Sequence, residues 1–318
     1  MPRTGSNGDE FHLPPIFDDM NSAIRGSPMY KPGFESRTAD YVLNCRCNRG
    51  GFCFYMLDEP NGSDTYYALS TLRLLGADRN DDDTVAYLKR MQKDDGAYDS
   101  IYSAYYSIKS LLLLNEKPLY NPECYILNHM RIYNVDHLPA GINSIFKPMF
   151  YFVDLTSIMN VEVNNNIKDS IINFILHFEH GDHGFGHDYS TLIDTAQALS
   201  ILNWLNYPID SLGTTRFLSG CESEVYGFCN IPNTAPSFIE HVYAGILAST
   251  LVAYEPRYFS RCIEFILRCQ NRNGGFTRSS VGISTLEYTY YAIYSLSLLS
   301  VLKKNHFKQL AKDDKNAS

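Results

Sequence analysis

Apolar and polar positions fall along this chain in alternating blocks of helical length. Residues 81–90 (Asp-Asp-Asp-Thr-Val-Ala-Tyr-Leu-Lys-Arg) carry charge on one side, whereas 66–69 (Tyr-Tyr-Ala-Leu) and 105–108 (Tyr-Tyr-Ser-Ile) open stretches that are apolar or aromatic nearly all round. A helix with a charged face lies outside, and one apolar over most of its circumference is buried. Between the two kinds stands a recurring turn: Gly50-Gly51-Phe52, Gly96-Ala97-Tyr98, Gly184-Phe185, Gly227-Phe228 and Gly274-Gly275-Phe276. Its aromatics sit at 52, 98, 185, 228 and 276, giving steps of 46, 87, 43 and 48. The double step places a degenerate copy near Ala140-Gly141-Ile142, so six helical hairpins are expected. Hairpins at a period in the forties, none able to bury its own apolar face, complete one another's core. The pattern predicts six inner helices within six outer ones.

The turns lead into Asp194-Thr195-Ala196-Gln197-Ala198-Leu199 and Thr289-Tyr290-Tyr291-Ala292. These motifs resemble the repeats of protein prenyltransferase β subunits and of squalene and terpene cyclases, over residues 36–303. The resemblance implies an all-α fold, an α/α toroid closed into a barrel. Residues 1–35, with Gly, Ser and Pro but no helical period, read as an extended or flexible arm, and 304–318 as a polar tail. An unbroken ring argues for one domain, since cutting it exposes apolar faces.

Composition narrows the partners. Hydrophobic residues at 45% and aromatics at 14% supply a large core, and a net charge of −8 with a pI near 5.6 advertises no nucleic-acid or anionic-membrane surface. No apolar run reaches membrane-span length and the amino terminus lacks a signal pattern, so a cytoplasmic location is expected. The eight cysteines form neither a disulfide framework nor the paired spacing of a structural zinc site. The run Asp81-Asp82-Asp83-Thr84 opens an outer helix, where first-turn carboxylates cap. His177, His180, His183 and His187 are split by Gly181, which argues against a shared metal.

In a ring of hairpins the inner helices run parallel and their amino termini gather at one rim, a setting that attracts anions such as diphosphate. Ahead of those helices stand Asp64, Tyr102, Asp154, Asp194, Glu240 and Glu287. Each carboxylate caps a helix, helps hold a divalent cation, or, if desolvated, donates a proton. Asp64, Asp194, Glu240 and Glu287 are the catalytic candidates. Tyr66, Tyr102, Tyr105, His241, Tyr288 and Tyr291 are the candidates for substrate binding. Tyrosine faces either line a prenyl chain and steady a carbocation or simply fill the barrel.

The resemblance sharpens these readings. Prenyltransferases take zinc on an Asp, a Cys two residues on, and a His before the last repeat's Thr; the matching positions are Glu240, Val242 and Tyr288, with His241 available if the register slips by one. The zinc set is unmatched, which leaves the cofactor unknown and a divalent cation open. In class II cyclases the proton donor stands two residues before the motif's final Thr, where this chain has Ile193 or Ser63; a variant with the acid directly before Thr would use Asp64 or Asp194. The resemblance therefore implies an isoprenoid-diphosphate-processing enzyme of prenyltransferase type, with an isoprenoid diphosphate and a helical partner subunit as partners. The alternatives are a single-domain terpene cyclase and a non-catalytic isoprenoid-binding or scaffold protein.

Overall fold

The computed structural model describes residues 27–316, apart from positions 56, 131, 134, 136, 137 and 139–143, with side chains through Leu302. Outer helices α1 (Phe34–Asn44), α3 (Asp82–Arg90), α5 (Glu123–Asn128), α7 (Asn165–His177), α9 (Thr215–Cys221) and α11 (Phe259–Arg268) alternate with inner ones. The inner helices are α2 (Gly62–Leu74), α4 (Ile101–Leu113), α6 (Lys147–Ile158), α8 (Leu192–Trp204), α10 (Ile239–Leu251) and α12 (Leu286–Asn316). Each inner helix packs on the next, and α12 packs on α2, so the ring is closed. Each outer helix backs the inner helix that follows it in sequence. The fold is the expected α/α toroid.

The recurring sequence motif has a physical basis at both of its ends. The aromatic of the turn is buried, and its N–H donates to a threonine hydroxyl in the first turns of the inner helix: Phe52 to Thr65 at 3.1 Å, Phe185 to Thr195 at 2.9 Å and Phe276 to Thr289 at 3.0 Å. Side-chain caps start these helices, with Asn61, Ser100 and Thr191 accepting from the N–H of Asp64, Ser103 and Asp194.

Neighbouring hairpins meet at the glycine. Gly50 (φ 85°) lies against the backbone of Asp83 and Thr84 at the start of α3, so close that a Cβ would collide with it. Gly274 (φ 93°) meets the carbonyl of Arg37 on α1 in the same way. There Thr38 Oγ1 donates to the Gly274 carbonyl at 3.2 Å, Gln270 Nε2 donates to Thr38 Oγ1 at 3.0 Å, and Phe34 meets Phe276 edge-on at 5.8 Å. The last hairpin thus joins the first through the joint used within the ring.

One expectation needs correction. The third inner helix begins at Lys147, so Asp154 is mid-helix rather than at a helix start. Its degenerate turn at 140–142 lies outside the described residues, as does the arm over residues 1–26. Backbone helix α12 continues to Asn316, through the stretch read as a tail. Asp81 caps α3 by accepting from the Thr84 N–H at 3.0 Å, and Arg46 clasps its carboxylate at 2.7 Å. All eight cysteines are free thiols. Among the described residues no three His, Cys, Asp or Glu side chains form a metal-binding group, and no helix is long and apolar enough to cross a membrane.

Gly274→Ala is expected to lower stability by about 3 kcal/mol, combining the penalty of positive φ with the collision at Arg37. Gly76→Ala, also at positive φ (64°) but with open space around its Cβ, should cost about 1 kcal/mol. Urea denaturation of both variants checks this; equal losses would remove the special role of the seam.

Candidate functional site

A cavity of about 550 Å³ occupies the centre of the ring. Its rim carries first-turn residues of three inner helices, Lys147, Glu240 and Glu287, and its walls reach Trp204 and Leu251 at the far ends of α8 and α10. From Glu240 to Leu251 the wall descends about 16 Å at 1.5 Å per residue. Two halves differ in chemistry. Helices α2, α4, α6 and α12, with Tyr243 of α10, contribute tyrosines, whereas α8 and the rest of α10 contribute Ala196, Ser200, Ala244 and Leu247. Small side chains on that half leave the room.

The tyrosine half is interlocked. Tyr105 and Tyr151 lie 4.5 Å apart between ring centroids, Tyr243 stacks on Tyr291 at 4.5 Å, and Tyr66 contacts Tyr67, Tyr105, Tyr106 and Tyr290. Tyr67 OH lies 2.9 Å from Tyr106 OH and donates to Glu287 Oε1 at 3.1 Å, which also accepts from Tyr291 OH at 2.9 Å. Burial, then the neighbouring phenols and Glu287, push the Tyr67 and Tyr291 hydroxyls well above their usual range. These phenols are therefore fixed neutral donors.

Deeper in the wall Lys109 Nζ donates to Asp154 Oδ2 at 2.6 Å and to Tyr105 OH at 3.0 Å, and stands over the rings of Tyr66 and Tyr105 at 5.2 and 4.8 Å. Both charged side chains are nearly inaccessible, at 9% and 1% exposure. Burial draws the ammonium's pKa down, but Asp154 and Tyr66 more than reverse this, so the lysine stays charged.

Of the residues singled out in the sequence, Glu240, Glu287, Tyr66, Tyr105, Tyr288 and Tyr291 share the cavity wall. Tyr102 is exposed at the rim and packs on Tyr106 at 4.7 Å. Asp64 lies behind the wall, where its Oδ2 accepts from the Phe54 N–H at 3.1 Å and from Asn61 Nδ2 at 2.8 Å. Asp194 is likewise held by the Thr191 hydroxyl at 2.8 Å, off the wall formed by its neighbours Ile193 and Gln197. Desolvation raises the pKa of both carboxyls. His241 is buried off the wall, its Nδ1 accepting from the Phe238 N–H at 3.3 Å; burial, then Arg278, lower its pKa to about 4. Sequence reasoning missed Lys109, Lys147, Arg278 and Trp204. Lys109 alone left a trace, a single cation in the otherwise uncharged α4.

The residues at the zinc positions do not suit a metal. Glu240 Oε1 accepts from both Nε and Nη2 of Arg278 at 2.6 Å, and Glu240 Oε2 is buried. Val242 is fully buried and has no donor atom. The Tyr288 phenol is driven up by desolvation and then by Glu240, away from the phenolate that would ligate.

With the ring and its cavity established, the family is decided by sequence. The profile of the prenyltransferase alpha-alpha toroid domain matches residues 26–110 and 125–313. The chain belongs to this family. Among solved structures the toroid is similar to a Candida albicans protein geranylgeranyltransferase-I complexed with GGPP, with a TM-score of 0.67 and 16% identity, covering 83% of this chain and 90% of that one. It is also similar to a protein from Actinoplanes, with a TM-score of 0.50 and 14% identity, covering 90% of this chain and 100% of that one. At such identities the likeness concerns the fold. Comparison of the toroid's sequence with curated proteins finds no match.

Two measurements probe the electrostatics of the wall. His241 has a folded-state pKa near 4, below the unfolded value of about 6.5, so its contribution to stability is present above pH 6.5 and lost as pH falls toward 4. His241→Gln, which can still accept from the Phe238 N–H, should flatten that slope; the difference between the two stability curves is expected to be about 2 kcal/mol after allowing for solvent screening. Separately, Lys109→Met strands the Asp154 charge and should cost about 4 kcal/mol, more than half of it recovered in Lys109→Met/Asp154→Leu. Denaturant titrations over pH 4–8, and of the single and double variants, read both effects.

Proposed function

We propose that the toroid binds an isoprenoid diphosphate and acts as an enzyme of prenyltransferase type, with the prenyl chain lying along α8 and α10 against the tyrosine half and the diphosphate at the rim. The observation that carries this reading is the cavity itself: about 550 Å³, walled by aromatic and small apolar side chains, with Lys147 and Arg278 among its lining residues. Apolar pockets with a few placed polar groups suit ligands of this kind. The amino-terminal turns of α6, α10 and α12 also reach the cavity through Lys147, Glu240 and Glu287, and the N–H groups and dipoles of such turns favour an anion. Tyrosine faces would each steady positive charge developing on the chain by about 0.5–2 kcal/mol as diphosphate departs. The similar fold of a geranylgeranyltransferase-I complexed with GGPP supports the same choice.

A cyclase reading needs an acid that meets the substrate, and Asp64 and Asp194 are instead occupied by hydrogen bonds behind the wall. It is the weaker choice for that reason. A partner subunit fits the same scheme, because Tyr55, Leu57, Tyr102, Tyr189, Val281 and Ile283 are exposed in or beside loops that precede inner helices.

Purified protein titrated calorimetrically with geranyl, farnesyl and geranylgeranyl diphosphates should bind at least one, and at a hundredfold excess over Kd the ligand should add about 2.7 kcal/mol of stability. Ala244→Phe, which fills the small-residue half, is expected to weaken binding at least tenfold. Mass spectrometry of the incubations separates the readings. A prenylated acceptor supports transfer; a cyclised hydrocarbon from the diphosphate alone, lost in Asp64→Asn or Asp194→Asn, supports cyclisation instead.

A further inference from the structure

The donor chemistry at the rim departs from what the family's metal requires, and a built cation stands in the same place. Arg278 lies two residues beyond the buried Phe276, on the loop leading to α12, and both it and Glu240 line the cavity. Its Nε and Nη2 converge on one oxygen, Glu240 Oε1, at 2.6 Å, and its guanidinium lies 4.0 Å from the centroid of the Phe238 ring. A carboxylate below and a ring face beside it hold the planar group in one orientation, as a flexible lysine would not be held. The second oxygen of Glu240 is buried and has no hydrogen-bond partner among the described residues. A metal could take Oε1 only by displacing the guanidinium, and one that reached Oε2 would find Val242 and a neutral Tyr288 where further donors are needed.

We infer that this rim works without a metal ion, and that the guanidinium of Arg278, clamped by Glu240 and stacked on Phe238, is the fixed cation that meets the diphosphate of the ligand. The second half of this inference rests on the isoprenoid-diphosphate reading above; the first does not. A guanidinium uses at most two of its five N–H groups on Glu240 Oε1, so three remain for an anion. Its charge is permanent, so the anion site should persist in the presence of chelators and across neutral pH. A fixed guanidinium does not activate a thiol as zinc does, so a thiol acceptor that depends on a metal is the one this rim does not fit.

The test has two independent arms. In the first, the full chain is titrated with zinc chloride by calorimetry and its metal content is measured by elemental analysis. Less than a tenth of an equivalent of zinc sensitive to Glu240→Ala is expected, and a stoichiometric zinc site abolished by Glu240→Ala would overturn the metal-free reading. In the second, farnesyl diphosphate and farnesol are titrated in EDTA. Arg278→Met should weaken farnesyl diphosphate at least tenfold and leave farnesol within twofold, while Arg278→Lys should retain part of the affinity. Circular dichroism and thermal melts confirm that both variants are folded, and Arg278→Lys still reads the fork geometry if Arg278→Met is not. Unchanged farnesyl diphosphate affinity in Arg278→Met overturns the role of the guanidinium. If the wild-type chain binds neither farnesyl diphosphate nor farnesol, the cavity reading fails together with the diphosphate half of the inference, whereas the zinc arm still decides the other half.

Discussion

The constraint on which this molecule depends is the contact between each turn and the next hairpin. A helical hairpin of this kind has an apolar face it cannot cover by itself, and the glycine at the turn lets the neighbouring backbone approach within the radius of a methyl group. Because the joint at Gly274 repeats the joint at Gly50, closure needs no special device. The aromatic of the same turn, pinned by its N–H to a threonine of the inner helix, sets the level of that helix relative to the joint. Ring geometry therefore follows from a handful of residues per repeat, and the first turns of α6, α10 and α12 come to one cavity.

What the ring encloses is neither an empty barrel nor a plain hydrocarbon core. Tyrosines from five inner helices fill one half, and the hydroxyls of Tyr67, Tyr106 and Tyr291 find partners among themselves and on Glu287. Lys109 and Asp154 add a buried ion pair to the same wall. A buried pair is weak evidence for stability, since desolvation opposes the attraction, but it fixes the orientation of α4 against α6 because neither partner can be left alone. The other half, built on Ala196, Ser200, Ala244 and Leu247, is where volume remains. The asymmetry arises from residue size alone.

The sequence made the ring legible and the interior only partly so. Periodicity carries information about faces and spacing, and Phe52, Phe185 and Phe276, with their threonines, repeat in register; hence the hairpins and the inner and outer layers are legible in the sequence. Asp154 is misplaced because the third repeat lacks the turn consensus in its sequence, so its helix start has to be interpolated between neighbours. Asp64 and Asp194 were placed at the rim, but direction within a turn depends on which backbone N–H or hydroxyl the carboxylate meets, and spacing does not encode that. Arg278 lies in a loop with no period, and its meaning depends on Glu240, 38 residues earlier. The unmatched zinc positions, by contrast, were visible from residue identity, because a valine has no lone pair to offer a metal.

The seam between Thr38 and Gly274 joins positions 236 residues apart. Drawing together positions at that separation costs about 5 kcal/mol in lost freedom beyond a constant term, and the joint cannot form until the ribosome has made the sixth hairpin. During translation the first hairpin must therefore wait with an uncovered flank while the others stack in order behind it. That interval is when the nascent polypeptide is most exposed to wrong association, including pairing of its open end with the open end of a second copy, and it is when help from a chaperone would matter most.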